Sequence, residues 1–130
     1  MSALKKIETD KAPKAIGPYS QAIVAGNYLF ASGQIAINPA TEKLVEGGIK
    51  EQTTRVLDNL KAVLAAHNID FSRVVKTTVY LKDMRDFAEM NVIYAARFSS
   101  DPKPARETVQ VAGLPMGALV EISCIAYLGK

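Results

Sequence analysis

The chain has 130 residues and a mass of 14.0 kDa, and 48% of its residues are hydrophobic and 22% charged. This composition is typical of a globular protein with one domain over residues 1–130, and it excludes a disordered chain. The formal net charge of +3 comes from 16 basic and 13 acidic residues scattered along the sequence, whereas nucleic-acid-binding proteins usually cluster their basic residues. Only the first 14 residues are locally basic, and we interpret them as a solvated tail.

Several classes of site have no support in the sequence. No apolar run reaches the roughly 18 residues of a membrane span, and no apolar signal segment follows the N-terminal lysines. One histidine and one cysteine cannot form the usual metal clusters or catalytic triads, and the common phosphate-binding and dithiol motifs are absent. The cysteine, Cys124, lies in an alternating apolar segment and is interpreted as a small buried hydrophobic residue. A lone cysteine suits a reducing compartment, and we expect a cytoplasmic protein.

The first half of the chain predicts two strands and a long helix. Residues 19–25 and 28–32 are predicted as strands joined by a tight turn, with a loop over 33–48. From Ile49 the hydrophobic residues recur with the period of a helix. We expect this helix to end near Asn68, because asparagine tolerates the left-handed conformation that ends helices.

The second half predicts a strand, a shorter helix and two final strands. Residues 74–82 are rich in β-branched residues, which favour a strand. The helix that follows is expected to have Asp86 as its N-cap, with Glu89 completing a near-capping box. Strands over 106–112 and 119–128 are expected to pair as a hairpin. The order β-β-α-β-α-β-β predicts an α+β fold, with two helices covering one face of a mixed sheet.

The other face of this sheet has no helix left to cover it. In the last strand Ile125 and Tyr127 alternate with the residues that the helices cover, so the uncovered face is partly apolar. A partly apolar face of this kind favours burial by another subunit. We therefore expect an oligomer.

Strand alternation also selects candidate site residues. It places Arg106, Thr108 and Gln110 on the uncovered face, with Glu107 on the helix side. If the last two strands form a hairpin, Glu121 lies close to Arg106. Charged groups on a covered surface are costly unless they pair or bind a ligand. Strand geometry leaves both interpretations open, a structural ion pair and a ligand site.

Several short motif segments follow one another along the chain in a recognisable order. They are AIGPYSQA at 15–22, SGQI at 32–35, VVKTTV at 74–79, PAR at 104–106 and VEI at 120–122. Each segment alone is weakly specific, but the set is highly specific and spans about residues 12–128. Together they resemble the RidA/YjgF family of reactive-intermediate (enamine/imine) deaminases.

The resemblance implies a fold, an assembly and an activity. The fold is a chorismate-mutase-like mixed β-sheet with two helices on one face, in a homotrimer with a central barrel and active sites between subunits. The activity is hydrolysis of 2-iminoacids, such as 2-iminobutanoate and 2-iminopropanoate, to 2-ketoacids and ammonia, which protects pyridoxal-phosphate enzymes from damage. The ligand is a small 2-iminoacid or 2-ketoacid, and no cofactor or metal is implied.

The resemblance also implies three catalytic residues. Arg106 holds the substrate carboxylate, Glu121 lies near the hydrolytic water, and Tyr19 lines the pocket with its hydroxyl. These roles suit the chemistry, because arginine binds a carboxylate through two parallel hydrogen bonds and a carboxylate can accept a proton from water.

Other residues implied by the resemblance bind the substrate. Gly33, through its backbone, and Asn91 line the pocket, and Thr108 joins them. Family members often have a small residue and then a cysteine after the motif arginine, where this chain has Glu107 and Thr108. We expect Glu107 to point away from Arg106, so that its carboxylate does not compete for the guanidinium.

Two alternative functions stay open. A trimer whose clefts bind small carboxylates or ketoacids without turnover would use Arg106 equally well. Some relatives of the family are described as endoribonucleases or translation inhibitors. That function has little support, because the sequence lacks a histidine pair, a metal cluster and a platform of aromatic and basic strand residues. Nucleic acid is therefore not an expected partner.

Overall fold

A computed structural model describes residues 3–130. Over this part of the chain two helices and eight strands form. In chain order they are β1 (Lys5–Ile7), β2 (Ala22–Ala25), β3 (Tyr28–Gln34), β4 (Ile37–Asn38), β5 (Lys43–Leu44), α1 (Ile49–Ala65), β6 (Val74–Leu81), α2 (Phe87–Arg97), β7 (Ala105–Gln110) and β8 (Val120–Tyr127). Within these residues, neither helix is long and apolar enough to cross a bilayer.

Six strands form one mixed sheet in the order β1-β2-β3-β8-β6-β7. All neighbours are antiparallel except β6 and β7, which run parallel. The predicted hairpin of the last two strands is wrong, because β6 lies between β7 and β8. The reason is the crossover through α2, since a strand, helix and strand connection places its two strands side by side and parallel. The predicted loop over 33–48 is also partly wrong, because it contains the small β4–β5 hairpin.

Both helices cover one face of the sheet, as predicted, and the hydrophobic core lies between the helices and the sheet. α1 begins where the Glu51 carboxylate accepts a hydrogen bond from the Gly48 N–H at 2.9 Å. It is followed by Asn68 in the left-handed conformation (φ 60°), as expected. The largest fully buried apolar side chains of this core are Leu29, Val56, Leu57, Leu60, Val63, Leu64, Val79, Leu81, Met90, Val120 and Ile122.

α2 begins directly after Asp86, as predicted, but the predicted capping interaction is absent. The Asp83 carboxylate accepts a hydrogen bond from the Arg85 N–H at 2.9 Å and so begins a 3₁₀ turn over Met84–Asp86. Asp86 is the residue before α2, but its backbone is already helical and its side chain makes no capping hydrogen bond. The predicted capping box is therefore wrong, because the turn leads directly into the helix.

The basic N-terminal segment is not the solvated tail that its charge indicates. Its first two residues lie outside the described part of the chain. β1 pairs with β2, and Ile7 and Ala12 are buried in the core. The buried Gln21 amide donates hydrogen bonds to the carbonyls of Thr9 and Pro13 at 3.0 and 2.7 Å. This segment is therefore part of the fold.

The face of the sheet away from the helices is exposed and partly apolar, as expected. Tyr28 and Phe30 of β3 are 42% and 45% exposed, and Val109 of β7 is 43% exposed. Ile125 and Tyr127 of β8 are half-buried on the same face. The apolar area therefore extends across most of the width of the sheet.

Candidate functional site

Arg106 lies on the helix side of the sheet. The parallel register pairs it with Thr77 of β6, which is fully buried under the helices, and register neighbours share a face. The predicted placement of Arg106 and Thr108 on the uncovered face is therefore wrong. Alternation within β7 separates its residues into two sets, but only its register with β6 decides which set faces the helices. Glu107 points away from Arg106 as predicted, but it lies on the uncovered face, where it pairs with Lys76 at 2.9 Å.

The Arg106 guanidinium is held by side chains of α2. Its Nη1 donates a hydrogen bond to Asn91 Oδ1 at 2.7 Å. Its Cζ lies 4.7 Å from the centroid of the Tyr94 ring and 5.5 Å from that of Phe87. Among residues 3–130 no carboxylate lies within 4 Å of this guanidinium. A half-buried arginine held by neutral groups can accept an anionic ligand.

Thr108 lies two residues beyond Arg106 on the same face of β7. Its hydroxyl oxygen is buried and has no hydrogen-bond partner within the described chain. Buried hydroxyls normally have a partner, so a polar atom of a ligand beside Arg106 would satisfy this one.

Glu121 lies on the opposite face of the sheet. It is in register with Tyr80 on β6, and it alternates with the buried Val120 and Ile122. Burial alone raises the pKa of its carboxyl group. Gly33, which is in β3 and not in the predicted loop, lies directly beneath the carboxylate. A Cβ atom at Gly33 would overlap Glu121 Oε2, so the carboxylate keeps this position only while residue 33 has no side chain.

Tyr19, Gly33 and Glu121 line one cleft with a volume of about 490 Å³. Tyr19 is 54% exposed, and its hydroxyl oxygen accepts a hydrogen bond from the Ile16 N–H at 3.4 Å. The predicted strand from residue 19 is wrong at its start, because β2 begins at Ala22. Tyr19 therefore belongs to the loop that borders the cleft.

The six predicted site residues thus form two groups in one chain. Arg106, Asn91 and Thr108 form one group on the helix side, and Tyr19, Gly33 and Glu121 form the other at the cleft. The prediction that Arg106 and Glu121 lie close together, which assumed a hairpin, is wrong, because they lie on opposite faces of the sheet. One chain therefore carries two halves of the predicted site.

Three residues around Arg106 were not predicted as part of the site. The sequence interpretation assigned Phe87 and Tyr94 to packing, and it gave Thr77 no role. Phe87, Asn91 and Tyr94 recur at helical spacing of four and three, which places them on one face of α2. That spacing is the signal that could have identified them, once Asn91 was a candidate.

The described part of the chain contains neither a cluster of metal-ligating side chains nor a reactive thiol. Within residues 3–130 no group of three or more His, Cys, Asp or Glu side chains is placed to hold a metal ion. Cys124 is buried as predicted, and burial raises the pKa of its thiol to about 12. This thiol therefore stays protonated at neutral pH.

Comparison with known proteins identifies the family. A family model described as Endoribonuclease L-PSP matches residues 9–128. The chain belongs to this family. It is the RidA/YjgF family, so the resemblance drawn from the motif segments is confirmed.

Individual relatives cover nearly the whole chain. A RutC family protein of Pyrococcus horikoshii is 56% identical over 93% of this chain and 95% of its own length. The mouse 2-iminobutanoate/2-iminopropanoate deaminase is 48% identical over 96% of this chain and 92% of its own. The crystal structure of the Rid protein YyfA from Yersinia pestis is 50% identical, with a TM-score of 0.94 over 96% of this chain and 99% of that one. The predicted α+β fold is confirmed as the fold of this Rid protein.

Proposed function

We propose that the protein hydrolyses small 2-iminoacids, such as 2-iminobutanoate and 2-iminopropanoate, to 2-ketoacids and ammonia. The observation that carries this proposal is the Arg106 guanidinium, fixed by α2 and without a carboxylate partner among residues 3–130. The name of the mouse relative describes the same reaction, which supports it.

A complete site is proposed to form between two copies of the chain. Arg106, Asn91 and Thr108 of one copy would face Tyr19, Gly33 and Glu121 of its neighbour. The separation of the two groups by the sheet supports this arrangement, and so does the position of Arg106 on the edge strand β7. Three copies around one axis would cover three partly apolar sheet faces and close a central barrel, so we propose a homotrimer.

Arg106 is suited to the acid end of the substrate. A 2-iminoacid carries a planar carboxylate next to the carbon of its C=N bond. The guanidinium binds such a group through two parallel hydrogen bonds, which fixes both its position and its plane. A lysine would supply the charge without fixing the plane. The Thr108 hydroxyl lies where it can donate to the same end of the ligand.

Glu121 is suited to moving the protons of the hydrolysis. A protonated imine is already a strong electrophile, so positioning the substrate and one water supplies much of the catalysis. Glu121 takes a proton from the water as its oxygen bonds to the imine carbon. The protonated carboxyl then gives this proton to the nitrogen. The C–N bond breaks, ammonia leaves, and the added hydroxyl gives its proton to the Glu121 carboxylate and becomes the ketone oxygen. This proton then passes from Glu121 to the departing ammonia, which is released as ammonium. The Tyr19 hydroxyl can donate a hydrogen bond to the water or the nitrogen.

The source of the substrate is a dehydration of serine or threonine by a pyridoxal-phosphate enzyme, whose imine product the protein would remove before it damages that enzyme. We place the reaction in the cytoplasm, because the lone thiol of Cys124 suits a reducing compartment.

The activity is tested with threonine and threonine dehydratase as the source of imine. Added protein is expected to speed the release of 2-ketoacid and ammonia, and Arg106→Ala is expected to lower that acceleration by about 100-fold or more. The matched control is Arg85→Ala, because Arg85 is an exposed arginine that is paired with Asp83 and belongs to neither group. Unchanged deamination by Arg106→Ala would reject the role of this residue.

The family description favours ribonuclease activity as a second candidate. RNA cleavage that persists in Arg106→Ala through rigorous repurification would support it. A non-catalytic binding module is separated from the enzyme by turnover in the unmodified protein, since the module binds 2-ketoacids but releases no ammonia.

A further inference from the structure

The side chains that surround Arg106 form a clamp, which we define as Phe87, Asn91 and Tyr94 of α2 with Thr77 of β6. Asn91 accepts one N–H of Nη1 at 2.7 Å. The Tyr94 and Phe87 rings lie within cation–π range of the guanidinium, at 4.7 and 5.5 Å. Within the described chain Nε and Nη2 make no hydrogen bond. The donors that can bind a carboxylate side by side are therefore left for a ligand.

Tyr94 is itself fixed from two sides. Its hydroxyl lies 2.7 Å from Thr77 Oγ1 in a buried hydrogen bond. Thr77 is the register partner of Arg106 on the neighbouring strand, so this bond ties the ring to the residue beside the arginine. Phe98 stacks on the ring with centroids 4.4 Å apart. The ring is 7% exposed and has little room to turn.

We propose that Tyr94, held by Thr77, is a positioning residue that sets the orientation of the Arg106 guanidinium before the ligand binds. This inference rests on the proposed function of Arg106. An arginine side chain has many rotamers, and fixing it on ligand binding costs conformational entropy. The clamp fixes it in the free protein, so the affinity for a carboxylate increases.

This role has a kinetic signature. The substrate carboxylate keeps its charge throughout hydrolysis, so its contact with Arg106 is equally strong in the ground state and the transition state. Loss of such uniform binding raises KM and leaves kcat nearly unchanged. A merely structural defect would lower the amount of folded protein, and it would not split KM from kcat in this way.

The test measures the dissociation constant of the product analogue 2-oxobutanoate by calorimetry, together with KM and kcat. Tyr94→Leu removes the aromatic face, and we expect Kd and KM to rise about tenfold with kcat within about twofold. Tyr94→Phe and Thr77→Val keep the ring but remove its hydrogen bond, and we expect a rise of about threefold in each. The matched control is Phe71→Leu, which removes a ring that packs on Phe98, with centroids 4.6 Å apart, and lies 5.7 Å from Arg97. It disturbs the aromatic packing next to Tyr94 but removes neither of the two rings that lie against the Arg106 guanidinium.

The outcomes separate this inference from the proposed function. Equal Kd values for Tyr94→Leu and the unmodified protein overturn the inference, and so does an equal rise in Phe71→Leu. If Tyr94→Leu does not fold, unchanged Kd values in Thr77→Val and Tyr94→Phe overturn it. If the unmodified protein binds 2-oxobutanoate but releases no ammonia, the proposed function fails, while a weaker Kd in Tyr94→Leu still supports the clamp. An unmodified protein that does not bind 2-oxobutanoate overturns both.

Discussion

The Glu121 carboxylate occupies the cleft because Gly33 beneath it has no side chain. A Cβ atom at Gly33 would overlap Oε2, so Gly33→Ala forces the carboxylate to move. We expect this variant to remain folded by circular dichroism and to lose about tenfold or more in deamination rate, since misplaced catalytic groups lose rate steeply. Gly113→Ala is the control, because a Cβ atom there meets no other atom within 4 Å. A Gly33→Ala variant with full activity would show that the position of Glu121 does not matter.

The proposed role of Glu121 differs from that of Arg106, because Glu121 should affect the rate of the reaction and not the affinity for the ligand. Glu121→Gln removes the proton acceptor but keeps the shape, so we expect a loss of about 100-fold or more in kcat with 2-oxobutanoate affinity retained. Glu107→Gln is the control, since Glu107 is an exposed carboxylate paired with Lys76. A loss of affinity equal to the loss of rate would assign Glu121 to binding instead.

The raised pKa of Glu121 gives the same substitution a second readout. Burial favours the protonated carboxyl in the folded state, so its folded pKa lies above its unfolded one. Its contribution to stability is therefore fully present below the unfolded pKa and is lost as pH rises through the folded pKa. We expect the melting temperature of Glu121→Gln to increase relative to that of the unmodified protein as the pH is raised from acid to neutral, because only the unmodified protein then has to bury an ionised carboxylate. A difference that is constant over this range would contradict the raised pKa.

At the scale of elements, Gln21 holds the N-terminal segment against the cleft. Its amide accepts one hydrogen bond from the Thr9 N–H at 2.8 Å and donates to three carbonyls between residues 9 and 13. Gln21→Leu leaves these groups unpaired, and we expect the free energy of unfolding to fall by about 2 kcal/mol or more. Hydrogen exchange should become faster across residues 9–13. Gln110→Leu is the control, because Gln110 accepts a single exposed hydrogen bond from the Met84 N–H. Slow exchange in Gln21→Leu would show that backbone packing alone holds the segment.

Elements with a clear local pattern were predictable, and their arrangement was not. α1 and β6 agree with the prediction closely, because hydrophobic periodicity and β-branched composition are local signals. The start of α2 after Asp86 was predicted, but the capping hydrogen bond expected there is absent, because a 3₁₀ turn capped by Asp83 leads directly into the helix. The sequence also could not predict which residues of β7 face the helices. That depends on the register between β7 and β6, which are distant in the chain.

The same limit applies to the candidate site. The resemblance identified Arg106 and Glu121 through their motifs, and both have surroundings that suit a ligand site. Their placement on opposite faces of the sheet required the strand order, because alternation within one strand carries no information about another strand. Tyr94 was assigned to packing, because a buried aromatic residue on a helix stripe gives no sign of what its ring faces.

At the scale of the whole molecule, the proposed homotrimer would explain both the separation of the two groups of site residues and the exposed apolar face. An isolated chain exposes Tyr28 and Phe30 on one face of its sheet and keeps Arg106 apart from Glu121. Association of three copies would bury the first two and bring the last two together across a subunit boundary. Light scattering is then expected to give three times the chain mass of 14.0 kDa.

Complementation between two inactive variants tests the shared site most directly. Arg106→Ala and Glu121→Gln chains carry different affinity tags, are coexpressed in equal amounts, and are purified through both tags as well as without selection. Each mixed trimer holds one boundary where an intact Arg106 meets an intact Glu121, so random assembly is expected to restore about a quarter of the wild-type rate. Each variant alone stays nearly inactive. If the mixed trimers form but show no more activity than the separate variants, the two residues do not act across a boundary and the account is contradicted.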